Sequence, residues 1–259
     1  MMHDGLISCL KQVPNPARTR PISLHNTVNL MKNIHFIGGE KGGVGKSVVS
    51  RLLAQYYIDH NIPFVAHDSD RSHASFARFY SGYASKIVVD DYESLDEVIE
   101  NVSEVEETRV IIDLAAQAMR PLSRWIDDSG LVEGQADIGL KLTFWHVMDA
   151  SKDSVMLLSE LLEKFQDKVN YVIVLNHGCG ERFDMFHAAA AKQRALAFSA
   201  HLIELRRLHN PTMQKIDNAN ASFWAAINSK EGANLGLLER QRAKVWLGSA
   251  YQALQNIPL

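Results

Sequence analysis

Eight consecutive residues hold the densest chemistry in the chain, Glu40-Lys41-Gly42-Gly43-Val44-Gly45-Lys46-Ser47. Their glycines free the backbone to turn and to bring N–H groups close to an anion. A lysine followed by a hydroxyl completes such a cradle. Lys46 reaches the β- and γ-phosphates of a nucleotide, and Ser47 contributes to a Mg²⁺ shell. The apolar run Ile34-His35-Phe36-Ile37 comes directly before, and a helical pattern starts at Val48 directly after. Strand, glycine-rich loop and helix are the context a phosphate-binding loop requires, and the helix N-terminus adds partial positive charge. The spacing therefore predicts that Gly42, Gly43, Val44, Gly45, Lys46, Ser47 and the backbone of Val48 line a nucleotide.

Hydrolysis needs a metal and a placed water as well. Asp113 ends the apolar run Val110-Ile111-Ile112, and Asp68 and Asp70 follow the run Ile62–His67. In an open parallel sheet, ligands collect at the carboxyl ends of the strands, where these runs deliver their aspartates. Asp113 is expected to hold Mg²⁺, directly or through water.

The elements that must position these residues alternate. Strands are predicted at 33–38, 62–67, 86–89, 109–113, 140–148, 170–175 and 201–205. Helices are predicted at 48–60, 94–106, 151–168, 181–198 and 235–254, the second opened by Ser94 and Glu97 in capping-box spacing. Pro211 reads as an interruption after the last strand. The rhythm predicts an α/β fold, a mainly parallel sheet covered by helices on both faces. Residues 32–259 read as one domain. Residues 1–31, with Pro14, Pro16 and Pro21 and no sustained apolar period, read as an N-terminal extension.

Composition narrows the class. An apolar fraction of 46% is ordinary for a globular protein, and no apolar stretch is long enough for a transmembrane segment. Two cysteines, Cys9 and Cys179, have neither a disulfide framework nor metal-ligand spacing, which fits a reducing cytoplasm. The net charge of −3 is uneven: residues 90–133 carry thirteen Asp/Glu against three Lys/Arg, and residues 181–259 carry ten Lys/Arg against six Asp/Glu. Any nucleic-acid surface belongs to the C-terminal part, with Arg206, Arg207, Arg240, Arg242 and Lys244 available for phosphate contacts, and the acidic segment should face away from it.

Lys-Gly-Gly-x-Gly-Lys-Ser, with a second lysine opening the loop, resembles the deviant Walker A motif of the ParA/MinD family of dimeric ATPases. The resemblance covers residues 32–255, strongly in the first half. It implies that Lys41 crosses the interface of an ATP-bound homodimer to the partner's nucleotide, a charge supplied in trans. Asp68-Ser69-Asp70 resembles that family's switch I segment, which implies that Asp70 positions the attacking water and Asp68 supports the metal shell. Asn176 matches the family's base-reading asparagine, and it equally suits a turn before Gly178. Asp153 is a weaker match to a further aspartate. The implied cofactors are ATP and Mg²⁺, and the implied partners are a second copy and an activating protein. The cargo surface is DNA, as for ParA, or membrane, as for MinD.

Several positions depart from the pattern. Glu40 stands in place of the usual first glycine, and Val48 in place of a threonine that touches the α-phosphate. Arg71-Ser72-His73 follows Asp70, Leu114-Ala115-Ala116-Gln117 follows Asp113, and Leu205-Arg206-Arg207-Leu208 stands where an adenine loop with proline is common. These departures lean toward the plasmid-mobilisation relatives of the TraL, MobD and StbB type. The function expected is an ATP-driven dimerising switch in positioning, partitioning or transfer of DNA or another large cargo. A metabolic synthetase of the same fold and a membrane-associated positioning ATPase are the alternatives. The iron-protein reductases are excluded, because they need paired cluster cysteines.

Overall fold

The computed structural model describes residues 32–71, 74–103, 108–230 and 232–259. The expected extension at 1–31, Ser72 and His73, and the end of the helix expected over 94–106 lie outside them.

Seven strands form one sheet: β1 (Lys32–Gly38), β2 (Phe64–Asp68), β3 (Ala84–Lys86), β4 (Arg109–Asp113), β5 (Leu140–Met148), β6 (Asn170–Asn176) and β7 (His201–Leu205). Their order is β3-β2-β4-β1-β5-β6-β7, and every pairing is parallel. β1 lies at the centre, with Ile37 opposite Asp113 of β4 and Trp145 of β5. That register brings the end of β1 and the aspartate of β4 to the same edge.

Strands buried on both faces read as continuous apolar runs. Alternate residues feed two cores. Phe36, Val110, Ile112, Phe144 and Tyr171 face one side, covered by α3 (Tyr92–Ser103), α4 (Met119–Ser129), α6 (Lys152–Phe165), α7 (Asp184–Ala188) and α8 (Ala190–Ala197). Ile37, Ile111, Trp145, Val147 and Val174 face the other, covered by α1 (Lys46–Asp59), α2 (Ser75–Phe79), α9 (Asn210–Asn218), α10 (Phe223–Asn228) and α11 (Leu237–Leu254). The short α5 (Gln135–Ile138) precedes β5. The acidic helix α3 and the C-terminal helices α9 to α11 thus cover opposite faces of the sheet.

Four local expectations are corrected. The strand expected over 86–89 pairs at Ala84–Lys86 instead; the Ile87 N–H makes a last bond to the Asp68 carbonyl at 3.1 Å, and the Ile87 and Val89 side chains sink into the core. Ser94 Oγ accepts the Val88 N–H at 3.1 Å, so this serine holds the turn before α3, and the helix begins at Tyr92. The helix expected over 181–198 is two helices. Ala189 is extended (φ −80°, ψ 146°), and the break lets Phe186, Ala191 and Ala195 meet one core. Pro211 starts a helix, because its missing N–H costs nothing in the first turn of α9.

Candidate nucleotide-binding site

β1 ends at Gly38, and the chain crosses residues 39–45 before α1 begins at Lys46. Gly39 (φ 129°) has no room for a side chain, since a Cβ there would stand 2.2 Å from the Val147 carbonyl oxygen. Gly45 (φ 97°) is the N-cap of α1, and a Cβ would stand 2.2 Å from Asn176 Nδ2. Both positions demand glycine for conformation and for space.

The loop after β6 fixes the direction of two peptide planes. Asn176 Nδ2 donates to the Val44 carbonyl at 2.8 Å, and Cys179 Sγ donates to the Gly43 carbonyl at 3.3 Å. In a trans peptide the next N–H points opposite to the carbonyl. Holding these carbonyls toward β6 therefore aims the Val44 and Gly45 N–H groups to the other side, where an anion-binding loop needs them. Asn176 Oδ1 accepts the Gly178 N–H at 2.9 Å, so its amide serves the loop and its own turn together.

Lys46 is buried, and its ammonium donates to the carbonyls of Lys41 at 3.0 Å and Gly39 at 3.3 Å. Burial pushes its pKa down, and the carboxylates of Asp113, Glu40 and Asp70 oppose that. Asp113 is 1% exposed, and neither of its carboxylate oxygens accepts a well-formed hydrogen bond. Burial pushes its pKa up to about 7, with nearby Asp68 adding to the effect and the Ser47 and Ser50 hydroxyls and Lys46 opposing it. A buried carboxylate with both oxygens unclaimed, beside the first hydroxyl of α1, fits a divalent cation. Among the described residues no group of three or more His, Cys, Asp or Glu side chains forms a complete metal cage.

The Asp68–Asp70 turn is tied to the end of β4. Ser69 Oγ donates to the Asp113 carbonyl at 3.0 Å and accepts the Ala115 N–H at 2.9 Å. Both oxygens of Asp68 accept backbone N–H groups, Oδ1 from Asp70 at 2.9 Å and Oδ2 from Ala77 at 3.0 Å. Asp68 therefore shapes the turn that presents Asp70 and caps the start of α2. Asp70 is half-buried and close enough to Lys46 to favour its ammonium.

Lys41 is not free in the single chain. Its ammonium donates to Asp149 Oδ2 at 2.7 Å and to Ser151 Oγ at 2.9 Å. Asp149 Oδ1 accepts from Ser151 N, Ser151 Oγ and Ser154 Oγ at 3.1, 2.6 and 2.7 Å. Burial opposes the charge of Asp149, but the hydrogen bonds from Lys41, Ser151 and Ser154 outweigh it and hold the carboxyl well below the usual range. Asp153 lies exposed on the first turn of α6 and adds to the field that favours the Lys41 ammonium.

Sequence reasoning found the loop, Asp68, Asp70 and Asp113, and the structure brings them to one edge of the sheet. It missed Asp149, Ser69, Cys179 and the contacts of Glu40. A signal existed for Asp149, because an aspartate followed by Ser151 and Ser154 at a strand-to-helix junction is cap chemistry. Of the five basic candidates, Arg206 and Arg207 follow the end of β7 at this same edge, and Arg240, Arg242 and Lys244 lie on α11. Arg206, Arg242 and Lys244 are exposed, and Arg240 is half-buried. Arg207 is engaged within the fold, donating to the His177 carbonyl at 3.0 Å and to Glu181 at 3.1 Å.

No family model matches the chain. The MobD protein of Acidithiobacillus ferrooxidans is 24% identical over 231 residues, covering 88% of this chain and 99% of MobD. A TraL protein of Escherichia coli is 22% identical over 241 residues, covering 87% of this chain and 98% of TraL. Among solved structures, the MinD cell division protein of Aquifex aeolicus aligns with a TM-score of 0.51 at 15% identity, covering 88% of this chain and 99% of that one. The chain has the fold of the ParA/MinD-like ATPases, and its sequence resembles the MobD and TraL proteins of the plasmid-mobilisation branch along almost their whole length.

Proposed function

We propose that this protein is a Mg²⁺-dependent ATPase whose bound nucleotide controls dimerisation, and that it serves the positioning or transfer of DNA. The observation that carries the reading is the edge cluster: Lys46 and the inward-aimed N–H groups of the glycine loop beside Asp113, a buried carboxylate with unclaimed oxygens. The names MobD and TraL, carried by full-length relatives, support transfer as the setting.

In this reading Gly42 to Val48 bind the phosphates, with Val48 contributing only its backbone N–H. Ser47 and Asp113 would hold Mg²⁺, whose charge would offset that developing on the phosphates. Asp68 supports that shell by fixing the turn beside it. Asp70 orients the attacking water. Asn176 holds the loop and presents the same end of β6 to the base. Phosphoryl transfer asks little covalent chemistry of a protein, so placement and charge neutralisation are the catalysis. Lys41 acts on a second copy's nucleotide, and to do so it exchanges Asp149 for phosphate. An activating partner protein and a cytoplasmic setting complete the proposal. No helix of the described residues is long and apolar enough to cross a membrane.

The test is the size of the full chain by light scattering without nucleotide, with Mg-ADP and with Mg-ATP, beside its rate of phosphate release. Mass should double only with ATP. Asp70→Ala should keep the ATP-dependent dimer and lower turnover by about 100-fold or more. Lys41→Ala should still bind nucleotide as a monomer. Wild-type protein that stays monomeric with ATP bound, or turnover unchanged in Asp70→Ala, refutes the switch or the role of Asp70 respectively.

A further inference from the structure

Glu40 is where the glycine-rich loop departs from its pattern, and its carboxylate is in use. α4 opens without a cap of its own. Ala118 at its N-cap position has no side-chain oxygen, the first turn holds no acidic residue, and Pro121 has no N–H. The first N–H of the helix, on Met119, is bound by Glu40 Oε1 from the phosphate-binding loop. The Glu40 carbonyl accepts the Gln117 N–H at 3.2 Å, and Gln117 sits at φ 61°, a left-handed conformation that needs holding in a residue other than glycine. The Leu114 N–H bonds the Ile37 carbonyl at 3.0 Å, so the segment after Asp113 runs along the loop from its first residue. A carboxylate at a helix N-terminus also meets the positive end of the helix dipole.

We infer that Glu40 is a positioning residue that fastens the phosphate-binding loop to the Leu114–Met119 segment and α4, so that a change in one is carried to the other. A glycine at position 40 keeps the backbone bond to Gln117 and loses the cap. The two departures, a glutamate in the loop and Leu-Ala-Ala-Gln after Asp113, are then two halves of one contact. The geometry stands without any nucleotide. Its use in signalling rests on the ATPase reading.

Hydrogen exchange of the full chain, with and without Mg-ADP, separates the two. In the nucleotide-free protein Glu40→Gly should raise exchange at amides 117–122 by about tenfold, the effect of losing a helix cap. Glu40→Asp, which keeps the charge but falls one methylene short, should behave the same way and serves if the glycine variant does not fold. Glu40→Gln, whose amide oxygen accepts the same bond, should stay within about threefold of wild type. With Mg-ADP, wild type and Glu40→Gln should change at both 42–49 and 117–122, whereas Glu40→Gly and Glu40→Asp should change at 42–49 only. The inference is overturned if the glycine and aspartate variants exchange like wild type at 117–122. It is also overturned if Glu40→Gln exchanges as fast as they do, or if Mg-ADP changes 117–122 equally in all four. Should Mg-ADP leave 42–49 unchanged even in wild type, the nucleotide reading fails, and the nucleotide-free comparison still decides the tether.

Discussion

His35 shows how one residue is forced into a single protonation state. It is fully buried on β1, where Trp145 Nε1 donates to its Nδ1 at 3.0 Å. A tryptophan N–H can only donate, so the histidine proton sits on Nε2 and is given to Tyr57 Oη at 2.9 Å. Burial, helped by Arg109, pulls its pKa down to about 3, and burial likewise holds His67 and His146 near 4. A pKa lower in the folded than in the unfolded state gives stability that is complete above about 6.5 and is lost as the pH falls. Each such histidine should cost on the order of 2 kcal/mol between pH 7.5 and 5. Urea unfolding of His35→Gln, which can still accept from Trp145 and donate to Tyr57, should recover roughly one histidine's share of that loss. An unchanged pH slope in the variant would contradict the assignment.

At the level of elements, the chain's strands were largely legible and several helices were not. Val110–Asp113 and Tyr171–Leu175 are buried on both faces, and continuous apolar runs announce them. α9 and α10 are short, so packing rather than periodicity decides them. Likewise the glycine loop and the strand-end aspartates declare themselves by type and spacing. The partners of Lys41 and Glu40 lie 108 and 79 positions away, and only the folded register brings them together. The contact that seats the C-terminal helices on α1 was equally hidden. Arg51 is 3% exposed, its guanidinium lies 3.6 Å from the Phe79 ring centre and 4.7 Å from that of Phe223, and it pairs with Asp217 of α9 at 2.8 Å. Two of its nitrogens have no hydrogen-bond partner, so the single carboxylate matters. Asp217→Asn should cost about 1–3 kcal/mol, less than a fully buried pair because Asp217 is half exposed. Arg51→Met should cost less than Asp217→Asn, since it removes the buried charge along with its partner. The reverse order of urea midpoints would refute this account.

Over the whole molecule, α3 carries Glu93, Asp96, Glu97 and Glu100 on one face of the sheet, and α11 carries Arg240, Arg242 and Lys244 on the other. If α11 meets nucleic acid, replacing Arg206, Arg242 and Lys244 by alanine should weaken ATP-dependent retention of non-specific duplex. It should also lower the slope of log affinity against log salt by about one unit per lost contact. Arg207→Ala should do less, because Arg207 is already bound to Glu181 and the His177 carbonyl. Retention that is unaffected by the triple variant, or that is equal without ATP, would remove α11 from any DNA surface.

The central place of β1 also sets the order in which the molecule can be made. β1 starts at Lys32, yet its partners on either side are Arg109–Asp113 and Leu140–Met148. At ribosomal speeds of about 5–20 residues per second, the strand that ends in the glycine loop waits several seconds for both neighbours to emerge. Helix α11, which packs over α1, comes last of all. A nascent chain therefore carries an exposed central strand through much of its synthesis, and the phosphate cradle closes only once β6 delivers Asn176. If the loop binds nucleotide as proposed, binding competence would be a late event in the life of the chain, and nucleotide would act as a reporter of completed folding.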